Sequence, residues 1–552
     1  MNSSVFRKVT KKLSLLKRDE EQSDGGSSNH CKVIFMDTHK KTRMKELLKS
    51  KNLLWMATLA AIFVISFSYI FDSKLNLNGD NCYYFANATS LAKGAGYADM
   101  FGNPTTNFPP GYPLLMTPLR MVTDSIIAQK ILNGIFLLTG VLLLFSTIVR
   151  AGFKRPLAFL ACVAVLITPH LLEFTTMMMS EAACFCCIAL IFWLFQGIME
   201  KEKERSLWRM PQFYLLLALI AFSYYIRTQA IAVVAGFVLG FLAMRRFGLS
   251  AAVAAAFALG YAPWMLRNSL LGLNQSRYVS QIDFTNIFST TKMLIVQAMP
   301  ESIIPFVPVN YEEAPGVLLW IFALVLLAVI LYGFWNMGKL RWPLFFYLCG
   351  TIGIISLFNV PSQYRYLTSA TPFLTMALFV GLWKLGETVT QKSLKTAFSP
   401  WILLILFLPP FMQESKGNKH TMGDLHAIAV QKFPPQFNNF FALGKALAQK
   451  NKNAIVCSRK PELLYATSGL RGVHYLETED DAKMIQGMLD KKVDYVLLEQ
   501  LGFGSTYRYL IPCVQKHQDI FKVALHLPNP DTFLLLFDKK AATEWLKNNP
   551  AK

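Results

Sequence analysis

The sequence predicts a polytopic α-helical membrane protein of about eleven spans, carrying a small α/β soluble domain at its carboxy-terminal end. Three observations carry that expectation: the composition, the spacing of the apolar runs, and a change of character near residue 413. Charged residues make up 16% of the 552 and apolar residues 53%, with a mean hydropathy of +0.35. Soluble domains are typically about one quarter charged, so this deficit points to lipid as the solvent. The net charge of +21 gathers in the amino-terminal tail and in short loops between apolar runs. That is the distribution of topology determinants and lipid headgroup contacts. No basic stripe interleaved with aromatics marks a soluble surface, which argues against nucleic acid as a partner.

Residues 1–52 are polar and basic, with Asp24-Gly25-Gly26-Ser27-Ser28 as a flexible-looking run, and read as a disordered cytoplasmic tail. Met36 and Met44 allow a shorter natural start. The tail is too long for a signal peptide and no small-residue cleavage site follows the first apolar run, so that run reads as an uncleaved anchor.

A hydrocarbon core of ~30 Å needs about 20 helical residues. Runs of that order lie near 53–71, 126–149, 155–172, 182–199, 211–226, 229–244, 249–266, 316–335, 341–358, 366–385 and 400–412, the last being short. Alternate loops carry Arg150, Lys154 and Arg155, then Lys201, Lys203, Arg205 and Arg209, then Arg245 and Arg246, then Lys339 and Arg341, then Lys384, Lys392 and Lys395. The opposite loops carry little beyond Arg227 and Arg365. By the positive-inside rule the first set and the amino terminus are cytoplasmic. The loop 72–125, the turn 169–181, the loop 267–315, the segment 361–365 and all that follows the last span are then outside, and the candidate functional residues all fall on that side.

From residue 413 to 552 the pattern is that of a soluble domain. Segments 453–458, 472–477 and 493–499 read as short buried strands, and 460–468, 480–490 and 505–517 as the helices between them. Segments 521–526 and 532–537, joined through Pro528-Asn529-Pro530-Asp531, read as a terminal hairpin. This alternation predicts a partly parallel α/β layer. Gly502-Phe503-Gly504 falls short of a nucleotide-binding fingerprint. No internal repeat runs through the spans, which weakens a transporter built on inverted halves.

The nine cysteines are scattered. Cys184, Cys186 and Cys187 lack partners at metal-ligand spacing, so no zinc site is expected there. Cys457 and Cys513 read as two independent buried thiols, with pairing in an oxidising compartment as the alternative.

Polar residues in an otherwise lipid-compatible chain are costly unless they are used. The loop after the first span holds Lys74, Asn78-Gly79-Asp80, Tyr83-Tyr84, Lys93, Gly94 and Gly96, and closes on Phe108-Pro109-Pro110-Gly111-Tyr112-Pro113. An Asp before a helical segment is most often a cap, and Asp80 precedes such a segment. Glu181 in Met179-Ser180-Glu181 enters the fourth span, where an acid also complements the helix dipole. Arg365 stands in Tyr364-Arg365-Tyr366-Leu367 against the charge asymmetry, and guanidinium bonds phosphate bidentately. Tyr83 and Tyr84 suit stacking on a sugar or an interfacial belt, His170 reads as an interfacial histidine, and Arg227 and Arg267 are weaker candidates at span ends. The run 108–113 reads as rigid, non-helical scaffolding.

Gly-Asp-x-x-Tyr-Tyr with the Phe-Pro-Pro-Gly-Tyr-Pro corner, the Ser-Glu turn and the Arg-Tyr-Leu run resemble the GT-C integral-membrane glycosyltransferases over roughly 53–412. The resemblance looks closest to the branch with the protein O-mannosyltransferases and the aminoarabinose transferase of lipid A, which use a monosaccharide on a polyprenyl monophosphate. It implies an inverting transfer of a hexosyl or pentosyl unit to a glycan, lipid or protein hydroxyl. The implied place is the outer face of a bacterial inner membrane. It further implies Asp80 as catalytic base, Glu181 as a second acid, and Arg365 with Tyr366 as the phosphate contact. Tyr83, Tyr84, Lys74, Arg227 and Arg267 are then further substrate contacts. A single Asp stands where some relatives have paired acids, which leaves a divalent cation at Asp80 and Glu181 open. The competing expectations are a transporter or flippase of a lipid-linked saccharide, and a non-catalytic scaffold presenting 413–552.

Overall fold

The computed structural model describes residues 52–77, 79–202, 204, 206–273, 281–304, 309, 311, 313–358, 363–393, 399–407 and 421–550. The tail 1–52, except Asn52, therefore lies outside the described residues, as do Asn78, Pro361 and residues 408–412 of the expected span 400–412. The chain divides into Met1–Thr58 and Leu59–Lys552. Of the first unit the described part is the opening of helix α1, Asn52–Ile70. Everything below belongs to the second.

After α1 the helices run α2 Gly79–Ala92, α3 Gly111–Val122, α4 Ile126–Arg150, α5 Arg155–Leu166, α6 Pro169–Thr175, α7 Glu181–Lys201, α8 Pro211–Ile226, α9 Ile231–Ala243, α10 Phe247–Leu270, α11 Val317–Trp335, α12 Arg341–Ser356, α13 Gln363–Leu367 and α14 Thr371–Ser393. Six helices among the described residues are long and apolar enough to cross a membrane, and seven if α5 and α6, bent by 62° at their junction, count as one. The sequence expectation of about eleven also included α8 and α9, which are shorter apolar helices, α12, which has 16 residues, and 400–412. In the last of these, Pro400–Phe407 is a 3-10 helix. Pro169 marks the break in the expected span 155–172, because proline cannot donate to the preceding turn and disfavours helix at the residue before it.

With hydrocarbon-like surfaces on every helix, close backbone approach and polar contacts decide who packs on whom. Helix α11 meets α14 where a Cβ at Gly333 would collide with the Ala377 carbonyl and one at Gly381 with that of Val329. At one end of the bundle the loops are tied by charge. Arg150 Nη2 lies 2.8 Å from Glu200, Lys339 Nζ lies 2.6 Å from Glu202, and Arg246 pairs with the same Glu202. The loops read as cytoplasmic thus converge on one another.

The carboxy-terminal region holds α15 Met422–Val430, α16 Pro435–Lys450, β1 Ile455–Cys457, α17 Pro461–Ser468, β2 Arg471–Val473, α18 Asp481–Asp490, β3 Tyr495–Leu498, α19 Ile511–Lys516, β4 Phe521–Leu527, β5 Thr532–Phe537 and α20 Lys539–Asn548. The sheet order is β2-β1-β3-β5-β4. Strand β1 is parallel to β2 (Val456 opposite Gly472) and to β3 (Val456 opposite Tyr495), whereas β5 runs antiparallel to β3 and β4. A buried cluster of Cys457, Met484, Ile485, Met488, Val496, Leu510 and Phe537 joins the sheet to α18 and α19. Cys457 and Cys513 are both free and buried.

This region grips the end of α1 and the loop that follows it. The His426 ring stacks on Tyr69 with centroids 4.2 Å apart, Lys74 Nζ donates to the carbonyl of Ala429 at 2.8 Å, and Arg471 donates to the carbonyl of Phe101. Helix α17 packs directly on α2.

Candidate active site

Helix α2 begins at Gly79, four residues before the Tyr83 from which the sequence suggests a helix, so Asp80 sits inside the first turn and does not precede the helix as a cap. An acid there is favoured by the helix dipole. Glu181 opens α7 and is fully buried. Arg365 lies on the short helix α13, and Arg227 caps α8.

These four residues meet. Arg365 Nη2 donates to Asp80 Oδ2 at 2.8 Å and its Nε to Glu181 Oε1 at 3.2 Å, while Arg227 Nη1 reaches the same Glu181 oxygen at 2.8 Å. The result is a charge-balanced chain, Asp80–Arg365–Glu181–Arg227. Burial by itself would depress the Arg365 guanidinium. Glu181, aided by the hydrogen bond to Asp80, outweighs burial and the opposing Arg227, and holds it above the usual arginine range. The side chains differ in access: Asp80 is 35% exposed and Glu181 1%. Only the first carboxylate is open to an incoming molecule.

The chain of charges borders a cavity of about 370 Å³. Asp80, Arg227, Arg365 and Tyr366 form its polar side, and Ile231, Ile282, Ile354, Ile355, Leu357 and Phe358 its apolar side. The apolar wall is pinned by an isolated bridge between Ile282 and Phe358 and by Asp283 N donating to Leu357 O at 2.8 Å. Phe108 and Pro109 close another side. The rigid reading of 108–113 is met only through Pro110. Helix α3 starts at Gly111, and Pro113 falls in its first turn, where a missing N–H costs nothing. Gly111 is required because a Cβ would run into the Tyr225 backbone.

Of the other residues singled out from sequence, Tyr84 lines the cavity, packs its ring 4.7 Å from Phe108, and shares a 3.4 Å contact with Ser180, whose hydroxyl also accepts from Arg227 at 3.1 Å. Tyr366 accepts on its carbonyl from Gln229 at 2.9 Å. Tyr83 packs its ring 6.2 Å from Phe108 and does not line the cavity. Lys74 pairs with Asp72 at 2.8 Å and with α15, away from the cavity. Arg267 donates to the carbonyls of Tyr97 and Thr105 at 2.9 and 3.2 Å and stacks on Trp264, so it ties down the loop 72–125. His170 is buried, its ring 4.5 Å from Tyr364, with Nε2 3.8 Å from Glu301.

Sequence reasoning missed Lys130 and Glu301. Lys130 is fully buried and donates to the carbonyls of Asp72 and Lys74, anchoring the loop that leads to Asp80. Gln129, Lys130 and Asn133 lie together inside an apolar helix, and that cluster was the available signal. Glu301, beside His170 and hydrogen-bonded by Tyr311, has its carboxyl raised by burial despite that bond. No local pattern marks it.

The donor set does not suit a divalent cation. Both carboxylates already bind guanidinium, and a metal bridging Asp80 and Glu181 would have to displace Arg365 from both. The described residues do group Asp481, Cys513 and His517 in the carboxy-terminal region, but the Lys516 ammonium already lies 3.2 Å from that Asp481 carboxylate.

No family model matches the sequence, and no curated protein matches it. Solved structures do match by fold. ArnT from Cupriavidus metallidurans bound to undecaprenyl phosphate superposes with a TM-score of 0.57 at 9% identity, covering 88% of this chain and 98% of that one. Its apo state gives 0.52. The archaeal oligosaccharyltransferase AglB from Archaeoglobus fulgidus, in complex with an inhibitory peptide and a dolichol-phosphate, gives 0.50 at 10% identity, covering 87% of this chain and 74% of that one. The chain shares the GT-C membrane fold of these proteins.

Proposed function

From that shared fold, we propose that this chain is a glycosyltransferase. It moves one hexosyl or pentosyl unit from a polyprenyl-phosphate carrier to an acceptor hydroxyl at the outer face of a bacterial inner membrane. The observation that carries the reading is the cavity in which an accessible carboxylate, Asp80, faces two guanidiniums, Arg365 and Arg227, against an apolar wall. A phosphate with a hydrocarbon tail needs that combination: fixed positive charge for the head and a dry wall for the first isoprene units.

In this reading Asp80 takes the proton from the acceptor hydroxyl as its oxygen attacks the anomeric carbon. The bond from that carbon to the phosphate oxygen breaks, and the carrier leaves as polyprenyl phosphate. Arg365 and Arg227 stabilise the charge that grows on the leaving oxygen. Attack and departure on opposite sides invert the configuration. Glu181 has no room to touch substrate. It acts as a positioning residue that holds both guanidiniums in place, a refinement of the second-acid role expected from the resemblance. The topology proposed with it has the amino terminus inside, about eleven crossings over 53–412, and 413–552 outside.

The test is transfer by the purified chain in lipid nanodiscs. Polyprenyl-monophosphate sugars should release polyprenyl phosphate with loss of the sugar, and nucleotide sugars without carrier should give no product. Transfer from a nucleotide sugar alone would overturn the donor assignment.

A further inference from the structure

The sheet region sets its own polar groups against the helix that carries Asp80, and the chemistry above uses none of them. Cys457 and Val496 point into the cluster with Met484, Ile485 and Met488 of α18. Successive strand residues alternate between faces, so Val456 and Leu497, both fully buried, point to the other face, where α16 and α17 pack. The connections that leave β1 and β2 therefore part to opposite sides of the sheet. A parting of this kind opens a crevice at the carboxyl ends of the strands, the usual ligand position in an open α/β sheet. Here the crevice abuts α2 one residue from Asp80: a Cβ at Gly79 would stand 3.2 Å from Glu462 Oε1.

Three side-chain atoms at the carboxyl end of β1 and the start of α17 are buried without a partner: Ser458 Oγ, Arg459 Nε and Glu462 Oε2. Ser458 itself is 0% exposed. Buried polar atoms are nearly always satisfied, and three within five residues form a set that another molecule's groups would complete. Charge decides which molecule. Arg459 already lies 3.4 Å from Glu477, and Lys460 3.3 Å from Glu462. A phosphate or carboxylate would have to displace one of those acids. What remains unpaired is one donor, one acceptor and one hydroxyl, beside the Phe503 ring on which Arg459 and Lys460 stack at 5.4 and 5.0 Å. The neighbouring hydroxyls of a sugar each donate and accept, and so match that set.

We infer that this crevice is the acceptor subsite, and that the acceptor it holds against Asp80 is a neutral saccharide. The inference rests on the glycosyl transfer proposed above. Its test uses the full chain in nanodiscs with the cavity filled by undecaprenyl phosphate. Saturation-transfer NMR then reads binding of the methyl glycosides of glucose, galactose, mannose and N-acetylglucosamine, with glucuronic acid and inorganic phosphate as separate arms. At least one neutral glycoside should bind, and Ser458→Ala, Arg459→Gln and Glu462→Gln should each weaken it fivefold or more while leaving undecaprenyl phosphate affinity unchanged. No neutral binder, unchanged binding in the three variants, or binding of the anions alone would each overturn the subsite. Failure of the wild-type chain to bind undecaprenyl phosphate, with neutral-sugar binding intact, would count against the donor reading and leave the subsite standing.

Discussion

Arg365 and Asp80, 285 residues apart in the chain, are joined by a 2.8 Å hydrogen bond from Nη2 to Oδ2. The cation assigned to the carrier phosphate is thus bonded to the carboxylate assigned to the acceptor proton. A phosphate entering the cavity competes for the same guanidinium, and its arrival would loosen the Arg365–Asp80 pair. Donor before acceptor is the order this pairing favours.

Replacing Asp80 by Asn should lower turnover by about 10²–10⁴-fold, the usual contribution of a positioned base. Affinity for undecaprenyl phosphate should be at least as tight as in the parent, because Arg365 no longer has a charged competitor. Turnover within a few-fold of the parent would remove Asp80 from the mechanism.

Glu181→Ala should destabilise the protein by about 3–5 kcal/mol, the cost of leaving a buried charge without its partner. Here Arg227, with its side chain 11% exposed, is the stranded group. Glu181→Gln should cost less, because the amide oxygen can still accept from Arg227. Thermal unfolding in detergent measures both, and an unchanged midpoint for the alanine variant would show that the pair contributes nothing.

Much of this was legible in the sequence, for identifiable reasons. Asp80, Glu181, Arg227 and Arg365 stood out because charge at span ends is costly, and all four meet at one site. The five strands were legible from period and turn residues, although the one expected over 472–477 is confined to Arg471–Val473. What failed to show was anything set by contact across the chain: Glu301 against His170, Glu462 against Gly79, and the grip of the carboxy-terminal region on the loop 72–125. Hydropathy also could not say where an apolar run bends, and 155–172 reads as continuous though it breaks at Pro169.

The convergence of Arg150, Glu200, Glu202, Arg246 and Lys339 at one end makes the orientation testable. The positive-inside rule predicts that this end is cytoplasmic. A cysteine at position 540, in a background lacking exposed cysteines, should react with a membrane-impermeant maleimide added outside intact cells, and one at position 245 should not. The reverse pattern would put the proposed site on the wrong side for a carrier-linked donor.

Glu499, fully buried at the end of β3, has its carboxyl raised by burial, only partly offset by bonds from Thr506 at 2.8 Å and Leu501 N at 3.2 Å. A carboxyl raised in the folded state binds more protons there than in the unfolded chain, so stability falls as pH climbs from the ordinary glutamate value towards the raised one. Glu499→Gln abolishes that loss. The variant should therefore gain more in melting temperature over the parent at pH 7.5 than at pH 4, and an equal or smaller gain at pH 7.5 would contradict the assigned shift.

Arg365 is predicted to act in both binding and chemistry, because the phosphate is charged in the ground state and gains charge on its leaving oxygen. Arg365→Ala should weaken undecaprenyl phosphate binding as well as turnover, whereas a change confined to turnover would mean that Arg365 meets only the transition state. Lysine at this position should rescue only in part. It keeps the charge but loses the planar fork, and with it one of the two contacts that now span Asp80 and Glu181 at 2.8 and 3.2 Å. Product stereochemistry supplies an independent check. If Asp80 and the Arg365-bound phosphate flank the anomeric carbon, a single displacement inverts it, and a product retaining the donor's configuration would exclude that arrangement whatever the rates.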